Sequence, residues 1–229
     1  MIYIYNTFIY QPIFNFLIWL YNIIPGHDMG MAIIVLTLVI RFLMVPLTIK
    51  QVKSQKALQE LQPKIDEIKR KYKDDKEKQS KELIKFYQEN KINPFSSCLP
   101  LLIQFPIIFA LYRAFRAGLS AKGLEVLYPF ISRPETINPM FLGLLDLSQR
   151  NIILAVLAGI AQFIQSKMVM GKQKRKAKGM AGAMSQQMTY FMPVMTVFIA
   201  MSLPAGLALY WLVTTLFAIG QQYFIMKTK

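Results

Sequence analysis

The stretch Met29–Lys50 decides the fold, and it runs MGMAIIVLTLVIRFLMVPLTIK. From Met29 to Ile49 it is apolar enough to cross a lipid bilayer as one helix, which takes about 20 residues. Arg41 lies inside this run, and a cation at membrane depth costs about 3 kcal/mol or more unless it faces water, a polar groove or an opposite charge. The stretch therefore predicts a first transmembrane helix, 29–50, with one polar face.

That polar face can be located from the helical repeat. Thr37 precedes Arg41 by four residues and Thr48 follows it by seven, so an unbroken helix places all three on one side. The alternative is that Arg41 only extends its side chain to the cytoplasmic headgroups. We favour a functional face, because charges within membrane segments usually mark functional sites.

The composition indicates a polytopic membrane protein. Of the 229 residues, 54% are hydrophobic and the mean hydropathy is +0.35. A net charge of +15 would also suit a nucleic-acid-binding protein, but the basic residues cluster beside apolar runs, as in cytoplasmic membrane loops, so we expect no DNA partner. The single cysteine, Cys98, and the single histidine, His27, exclude an internal disulfide and cysteine- or histidine-cluster metal sites, and no cofactor is expected.

Five apolar segments are predicted to span the membrane. We expect an all-α polytopic membrane protein with five transmembrane helices, a cytoplasmic antiparallel helical hairpin (51–93) and an N-terminal interfacial helix (1–28). The last four spans belong to residues 94–229, which also hold an extracytoplasmic loop (117–150) and a basic cytoplasmic loop (171–186). The predicted spans are Met29–Ile49, Leu99–Phe115, Asn151–Met170, Gln187–Met201 and Leu207–Ile225.

The N-terminal segment, 1–28, allows two interpretations. It is aromatic and apolar, but Pro12 is predicted to break it into two short halves, and several amides are scattered through it. It is therefore either a spanning helix or an amphipathic helix on the membrane surface, and the proline and amides favour the surface. Since no basic residue precedes the first apolar run, we expect no ordinary signal peptide.

Residues 51–93 are densely charged yet carry a heptad of apolar residues. We expect Pro63, which lies within the heptad, to open a new helix, and the polar run Lys73–Lys76 to form a turn before a second apolar stripe. The pattern predicts an antiparallel hairpin in water; the alternative is a solvated charged loop. The heptad positions are Leu58, Leu61, Ile65, Ile68 and Tyr72.

Charge also predicts the topology. Residues 50–91 hold thirteen basic groups and residues 1–28 hold none, which places the N-terminus outside and the hairpin, the second basic loop and the C-terminus in the cytoplasm. The charge of the second basic loop, 171–186, favours a role in membrane orientation and docking. Contact with ribosomal RNA is the open alternative. Its basic residues are Lys172, Lys174, Arg175, Lys176 and Lys178.

The spans hold polar groups but no carboxylate, and no glycine-rich phosphate loop occurs, so neither a paired-acid hydrolase nor an ATPase is indicated and no enzyme is expected. If the polar faces converge, they form a hydrated, positively charged groove open to the cytoplasm, and Met192, Met195 and Trp211 supply apolar walls. Single methionines are equally well explained as gap-fillers. Such a groove would insert membrane proteins without nucleotide hydrolysis. The polar groups are Thr37, Arg41, Gln104, Gln162, Gln165 and Thr214.

Several motifs resemble the YidC/Oxa1/Alb3 membrane insertase family over nearly the whole chain. They are NPFSSCLPLLIQFPIIFALYRAF (Asn93–Phe115), PAGLALYW (Pro204–Trp211), IRFLMVPLTIKQ around Arg41, and the LQPKI…YK region. The resemblance implies five core spans, a cytoplasmic hairpin and a groove closed to the outside. It further implies groove roles for Arg41, Gln104 and Trp211, nascent membrane proteins as substrates, the ribosome and Sec translocon as partners, and a bacterial plasma (inner) membrane. Tyr210, which opens the last span beside Trp211, is a further candidate groove residue.

The chain also departs from that family. Thr214 and Thr215 stand where many relatives carry an amide pair, which implies different hydrogen bonding there. We expect no large extracytoplasmic domain and no lipoprotein signal, and the short basic tail suggests weak tail-mediated ribosome binding. Two other classes stay open: a small-anion transporter that uses Arg41, and a scaffold for membrane complexes. A transporter would show internal symmetry, and none is visible in the sequence.

Overall fold

The computed structural model describes residues 2–90, 99–118, 121–170 and 187–227. These residues are mostly helical, which confirms the predicted α class at that level. Short π turns at Asn6–Tyr10, Ala114–Gly118 and Gln187–Phe191 and a 3₁₀ helix at Ala121–Val126 supplement the α-helices, and β1 (Met140–Phe141) pairs antiparallel with β2 (Leu145–Asp146). The α-helices are α1 (Ile2–Tyr5), α2 (Gln11–Ile23), α3 (Met29–Leu43), α4 (Val45–Lys71), α5 (Lys76–Glu89), α6 (Leu99–Arg113), α7 (Ile152–Met170), α8 (Met192–Ser202) and α9 (Ala205–Lys227).

The N-terminal helical run, 2–23, continues through Pro12, so the predicted break there was wrong. Pro12 lies in the first two residues of α2, directly after a π turn, and the residue before α2 keeps helical dihedral angles. The Gln11 N–H donates to the carbonyl of Asn6, five residues earlier, so the helix is wider than an α-helix at the point where Pro12, which has no N–H, enters it. One face of the run is buried against α3 and α6.

The amides of this run bind the loop that follows α6. Gln11 Nε2 and Asn15 Nδ2 both donate to the carbonyl of Val126, at 3.2 and 3.0 Å, and Asn22 Nδ2 donates to the carbonyl of Ser132 at 2.7 Å. These three amides therefore satisfy backbone groups of the protein. The placement of the run at the membrane interface stays a prediction.

The predicted straight helix over 29–50 was wrong, because the chain bends by 60° where α3 gives way to α4. Pro46 lies in the first turn of α4, where its ring lacks an N–H and would collide with the carbonyl four residues earlier in a straight helix. Among the described residues no single helix combines the length and the hydropathy of a membrane span. One bent pair, Met29–Leu43 with Val45–Leu58, satisfies both requirements together.

Helix α4 runs unbroken to Lys71, so Pro63 does not open a new helix as predicted. A turn follows, α5 then packs against α4, and Ile65 of α4 is buried. Gln79 Nε2 donates to the carbonyls of Lys69 and Tyr72, at 2.9 and 3.2 Å, and so satisfies exposed acceptors at the end of α4. The backbone N–H and then the ammonium of Lys78 lower the pKa of Asp75, which caps α5.

The remaining helices form the bundle that positions the candidate site. Helix α9 packs against both α3 and α7, and α7 packs against α8. Tyr210, Leu111 and Ile33 are among the largest fully buried side chains, so the core lies where α3, α6 and α9 meet. The β1–β2 hairpin covers one end of α3, where the Phe141 ring lies against Gly30 and Asp28 accepts hydrogen bonds from the backbone of Met31 and Leu142.

Candidate functional site

Arg41 lies in the last turn of α3 and is partly buried. Its Nη2 atom donates to Gln104 Oε1 on α6 at 2.8 Å. Among the described residues, no carboxylate forms an ion pair with Arg41. The guanidinium is therefore held by a neutral partner and keeps its charge uncompensated.

Gln104 links Arg41 to the last helix. Its Nε2 atom donates to the hydroxyl oxygen of Tyr210 on α9 at 2.6 Å, and Tyr210 is 1% exposed. Because an amide presents its oxygen to one partner and its nitrogen to the other, Gln104 is fixed in one orientation. The three side chains form a continuous hydrogen-bonded bridge from α3 through α6 to α9.

The bridge borders a cavity of about 100 Å³. Helix α4 contributes residues just beyond the bend, so the bend itself places them at the cavity. Amides and one hydroxyl supply its polar surface beside the guanidinium, and that surface suits water. The cavity is bordered by Arg41, Met44, Leu47, Thr48, Gln51, Val52, Ile103, Gln104, Gln165, Ala218, Gln221 and Gln222.

The predicted stripe of Thr37, Arg41 and Thr48 is divided by the structure. Thr48 borders the cavity, and its hydroxyl donates to the carbonyl of Met44 at 3.0 Å. Thr37 is fully buried and its hydroxyl donates to the carbonyl of Ile33 at 2.6 Å, within its own helix. Thr37 therefore packs inside the protein and does not border the cavity.

The predicted groove residues of α9 divide in the same way. Tyr210 belongs to the bridge, and Thr214, one turn later, is buried beside the Tyr210 hydroxyl but outside hydrogen-bonding geometry. Thr215 donates to the carbonyl of Trp211 at 2.8 Å. Trp211 is partly exposed and does not border the cavity.

The remaining predicted residues lie in two other places. Gln165 borders the cavity, whereas Gln162, one turn earlier on α7, is partly exposed outside it. Met192 and Met195 on α8 are 37% and 36% exposed, away from the cavity border. The predicted docking residues Lys172, Lys174, Arg175, Lys176 and Lys178 lie outside the described residues.

Sequence reasoning missed the amides at the end of α9. Gln221 and Gln222 border the cavity, and Gln221 Nε2 is buried without a hydrogen-bond partner among the described residues. The helical repeat could have found them, since Tyr210, Thr214, Ala218 and Gln221 follow one another at helical spacing on one side of α9. An unpaired buried donor is costly, so Gln221 suits a bound polar group or water.

Comparison with known proteins assigns the family. The family model of the 60Kd inner membrane protein matches residues 19–229. Membrane protein insertase YidC of Fusobacterium nucleatum is 35% identical over 223 residues, which are 96% of this chain and 98% of that protein. Membrane protein insertase YidC 2 of Bacillus anthracis is 37% identical over 230 residues, which are 97% of this chain and 81% of that protein.

A solved structure gives the same assignment. The active YidC insertase crystal structure with the first transmembrane domain resolved matches with a TM-score of 0.63 and 29% sequence identity. The match covers 94% of this chain and 46% of that one, so the present chain spans about half the length of the solved protein. The family model and the relatives agree along nearly the whole sequence. This chain is a membrane protein and belongs to the YidC family of membrane protein insertases.

Proposed function

We propose that the chain moves polar or acidic segments of nascent membrane proteins from the cytoplasm into the bilayer through the Arg41 cavity, without nucleotide hydrolysis. This proposal rests on the observation that Arg41 is hydrogen-bonded to Gln104 and not to a carboxylate. An uncompensated cation attracts negative and polar segments, and the amides around it suit a hydrated surface. The cavity therefore offers such a segment a favourable position below the membrane surface.

The energetic benefit follows from the cost of placing polar groups in lipid. Each unsatisfied backbone or side-chain polar group costs several kcal/mol in the hydrocarbon region. A segment held beside Arg41, Gln104 and Gln165 exchanges its hydration for protein and water partners. The substrate segment then has less of the hydrocarbon region to cross without hydrogen-bond partners. This effect requires no nucleotide hydrolysis.

The exposed faces of α7 and α8 support an exit toward lipid. Ile153 on α7 and Phe198 on α8 are 67% and 63% exposed, and Met192 and Met195, which are about one-third exposed, lie on α8 as well. Methionine is unbranched and adapts to varied apolar partners. We infer that a hydrophobic substrate segment moves along this surface into the bilayer.

The orientation and the partners belong to the same proposal. Five spans would place the N-terminus outside, and the α4–α5 hairpin, loop 171–186 and the C-terminus in the cytoplasm of a bacterial plasma membrane, in accord with the positive charge of those segments. Nascent membrane proteins are then the substrates. The basic residues 172–178 would dock the ribosome, and the Sec translocon would act beside the protein.

Reconstitution in liposomes tests the proposal. A small single-span substrate is synthesised in vitro, and its protection from added protease is measured with wild type, Arg41→Ala and the matched control Arg150→Ala, whose arginine is exposed in a loop. We expect insertion above empty liposomes, about tenfold less with Arg41→Ala, which corresponds to ~1.4 kcal/mol, and no change with the control. Equal insertion by wild type and Arg41→Ala would remove the cavity from the mechanism.

A further inference from the structure

A second cleft opens between the N-terminal helical run and α6. It has a volume of about 700 Å³ and is lined by Tyr5, Phe109, Tyr112, Arg113 and Arg116. The cleft lies further along α6 than Gln104 does. Arg113 is nine residues beyond Gln104, which corresponds to roughly 13 Å along the helix axis. The cleft shares no residue with the Arg41 cavity.

The walls of this cleft are aromatic. Phe109 is 59% exposed, and Phe109, Tyr112, Arg113 and Arg116 follow one another at helical spacing on one side of α6 and the π turn after it. Tyr5 faces them from α1, where its hydroxyl donates to the carbonyl of Pro106 at 3.4 Å. Contact of this aromatic surface with water is unfavourable, and an apolar group that covers it would gain the free energy of burial.

Two arginines border the cleft, and both are held by neutral groups. Arg113 donates to Asn6 Oδ1, and its guanidinium lies 4.3 Å from the centre of the Tyr10 ring. Arg116 Nη1 donates to the Tyr112 hydroxyl at 3.2 Å. Neither arginine forms an ion pair with a described carboxylate, and the sequence from Ala117 to Leu124 contains no acidic residue.

We propose that this cleft binds an anionic phospholipid, with the phosphate on Arg113 and Arg116 and the acyl chains on the aromatic walls. The guanidinium fork matches phosphate oxygens, so the two arginines together can hold a lipid phosphate. A soluble phosphate would leave Phe109 and Tyr5 uncovered, whereas a zwitterionic lipid such as phosphatidylcholine brings a choline cation beside its phosphate, which the two arginines repel. The lipid would also join the N-terminal run to α6, since its site is formed by both.

Native mass spectrometry of the purified protein tests the proposal by titration with phosphatidylglycerol and with phosphatidylcholine of the same acyl chains. We expect wild type to prefer phosphatidylglycerol and Arg113→Gln/Arg116→Gln to lose that preference, by about fivefold for each arginine. Phe109→Ala should weaken both lipids alike, because it removes acyl contacts only. The control Arg150→Gln removes an exposed loop arginine and should bind as wild type does.

Arg116→Gln alone keeps the test decisive if the double variant is poorly folded, because Arg116 is exposed and its hydrogen bond and ring contact are with Tyr112, one turn earlier in the same helical run. Soluble glycerophosphoglycerol should not compete with the lipid at equal concentration. Equal binding of the two lipids by wild type would overturn the proposal, and so would competition by the soluble phosphate or an equal loss in Arg116→Gln and Arg150→Gln. Lipid binding is measured without substrate, so this result is separate from the insertion assay.

Discussion

Arg41 Nη2 and Gln104 Oε1 are 2.8 Å apart, although the two residues are separated by 63 positions in the chain. The other end of the same amide donates to Tyr210, so the orientation of Gln104 is set by α9 and the position of Arg41 is set by Gln104. A carboxylate in this place would hold the arginine as well but would neutralise it. The amide positions the cation and preserves its charge.

Gln104→Glu tests that distinction with little change of shape. A carboxylate beside the guanidinium forms a charge-assisted pair and cancels the field that would attract acidic substrate segments. We expect insertion of an acidic single-span substrate to fall about tenfold, or ~1.4 kcal/mol, with the thermal unfolding temperature maintained. The measurement is protease protection in proteoliposomes.

Gln88→Glu is the matched control for that change, because Gln88 is exposed on α5 and adds the same charge far from the cavity. Its insertion should equal that of wild type. Unchanged insertion by Gln104→Glu, with the control also unchanged, would show that the charge of Arg41 does not act on the substrate.

Substitutions of Arg41 itself separate charge from geometry. Arg41→Lys keeps the charge but loses the planar fork, so an insertase that needs only charge and hydration should retain most of its activity, whereas a bidentate anion site should not. Arg41→Glu reverses the charge and should abolish insertion of acidic substrates. Insertion rates for substrates with acidic and with neutral leading segments measure both effects, and equal activity of the Glu variant would contradict the electrostatic mechanism.

The sequence made Arg41, Gln104, Gln165 and Tyr210 candidates because a charge, amides and a hydroxyl are conspicuous in apolar segments, and Arg41, Gln104 and Tyr210 also lie in the family motifs. The structure brings all four to one cavity and its hydrogen-bonded bridge. Such residues can be found from sequence, because their cost in lipid requires a polar site and helical spacing limits which side they face.

The predictions that the structure contradicts concern features that depend on contacts between residues distant in the chain. The bend after α3 separates Thr37 from Thr48, and the straight helix assumed for 29–50 placed them together although Pro46 was visible in the sequence. Likewise, the amides of α2 suggested contact with water, but their partners are backbone groups more than 100 positions away. A helical repeat carries no information about which distant carbonyl a side chain will meet.

Asn15→Leu should destabilise the packing of α2 on the loop after α6. Asn15 is 1% exposed; its Nδ2 donates to Val126 O at 3.0 Å and its Oδ1 accepts from Tyr128 N at 2.6 Å. Leucine of similar size leaves the Tyr128 N–H unpaired and the Val126 carbonyl with Gln11 Nε2 alone, at a cost of about 1–3 kcal/mol. Thermal unfolding in detergent measures the loss. Asn22→Leu, which removes the one bond to Ser132, should cost less, and equal effects would contradict this role of Asn15.

Gly206→Ala should disturb the contact between α9 and the end of α6. A Cβ atom at Gly206 would overlap the ring of Phe115, which is 6% exposed. Overpacking of this kind costs about 1–3 kcal/mol, so the unfolding temperature should fall. Gly220→Ala on the same helix meets no atom within 4 Å and should be neutral or slightly stabilising. A neutral Gly206→Ala would show that Phe115 can move aside freely.

Gln79→Ala should loosen the α4–α5 hairpin. The side chain of Gln79 joins the start of α5 to the last turn of α4 through the carbonyls of Lys69 and Tyr72. Loss of these bonds costs about 1 kcal/mol, which corresponds to roughly fivefold faster amide exchange in α5 if the helices separate to exchange. Hydrogen–deuterium exchange of the whole protein in detergent measures this change, and α9 should exchange as in wild type because the bundle is untouched.

Gln88→Ala serves as the control for helix propensity, since it makes the same substitution at an exposed position of α5. If α5 exchanges equally fast in both variants, Gln79 contributes no more than an ordinary surface residue and other contacts between α4 and α5 hold the hairpin. If only Gln79→Ala exchanges faster, the same variant can be carried into the insertion assay. A loss of insertion there, with Arg41 and its cavity intact, would assign the hairpin a role in delivering substrate that requires the two helices to stay together.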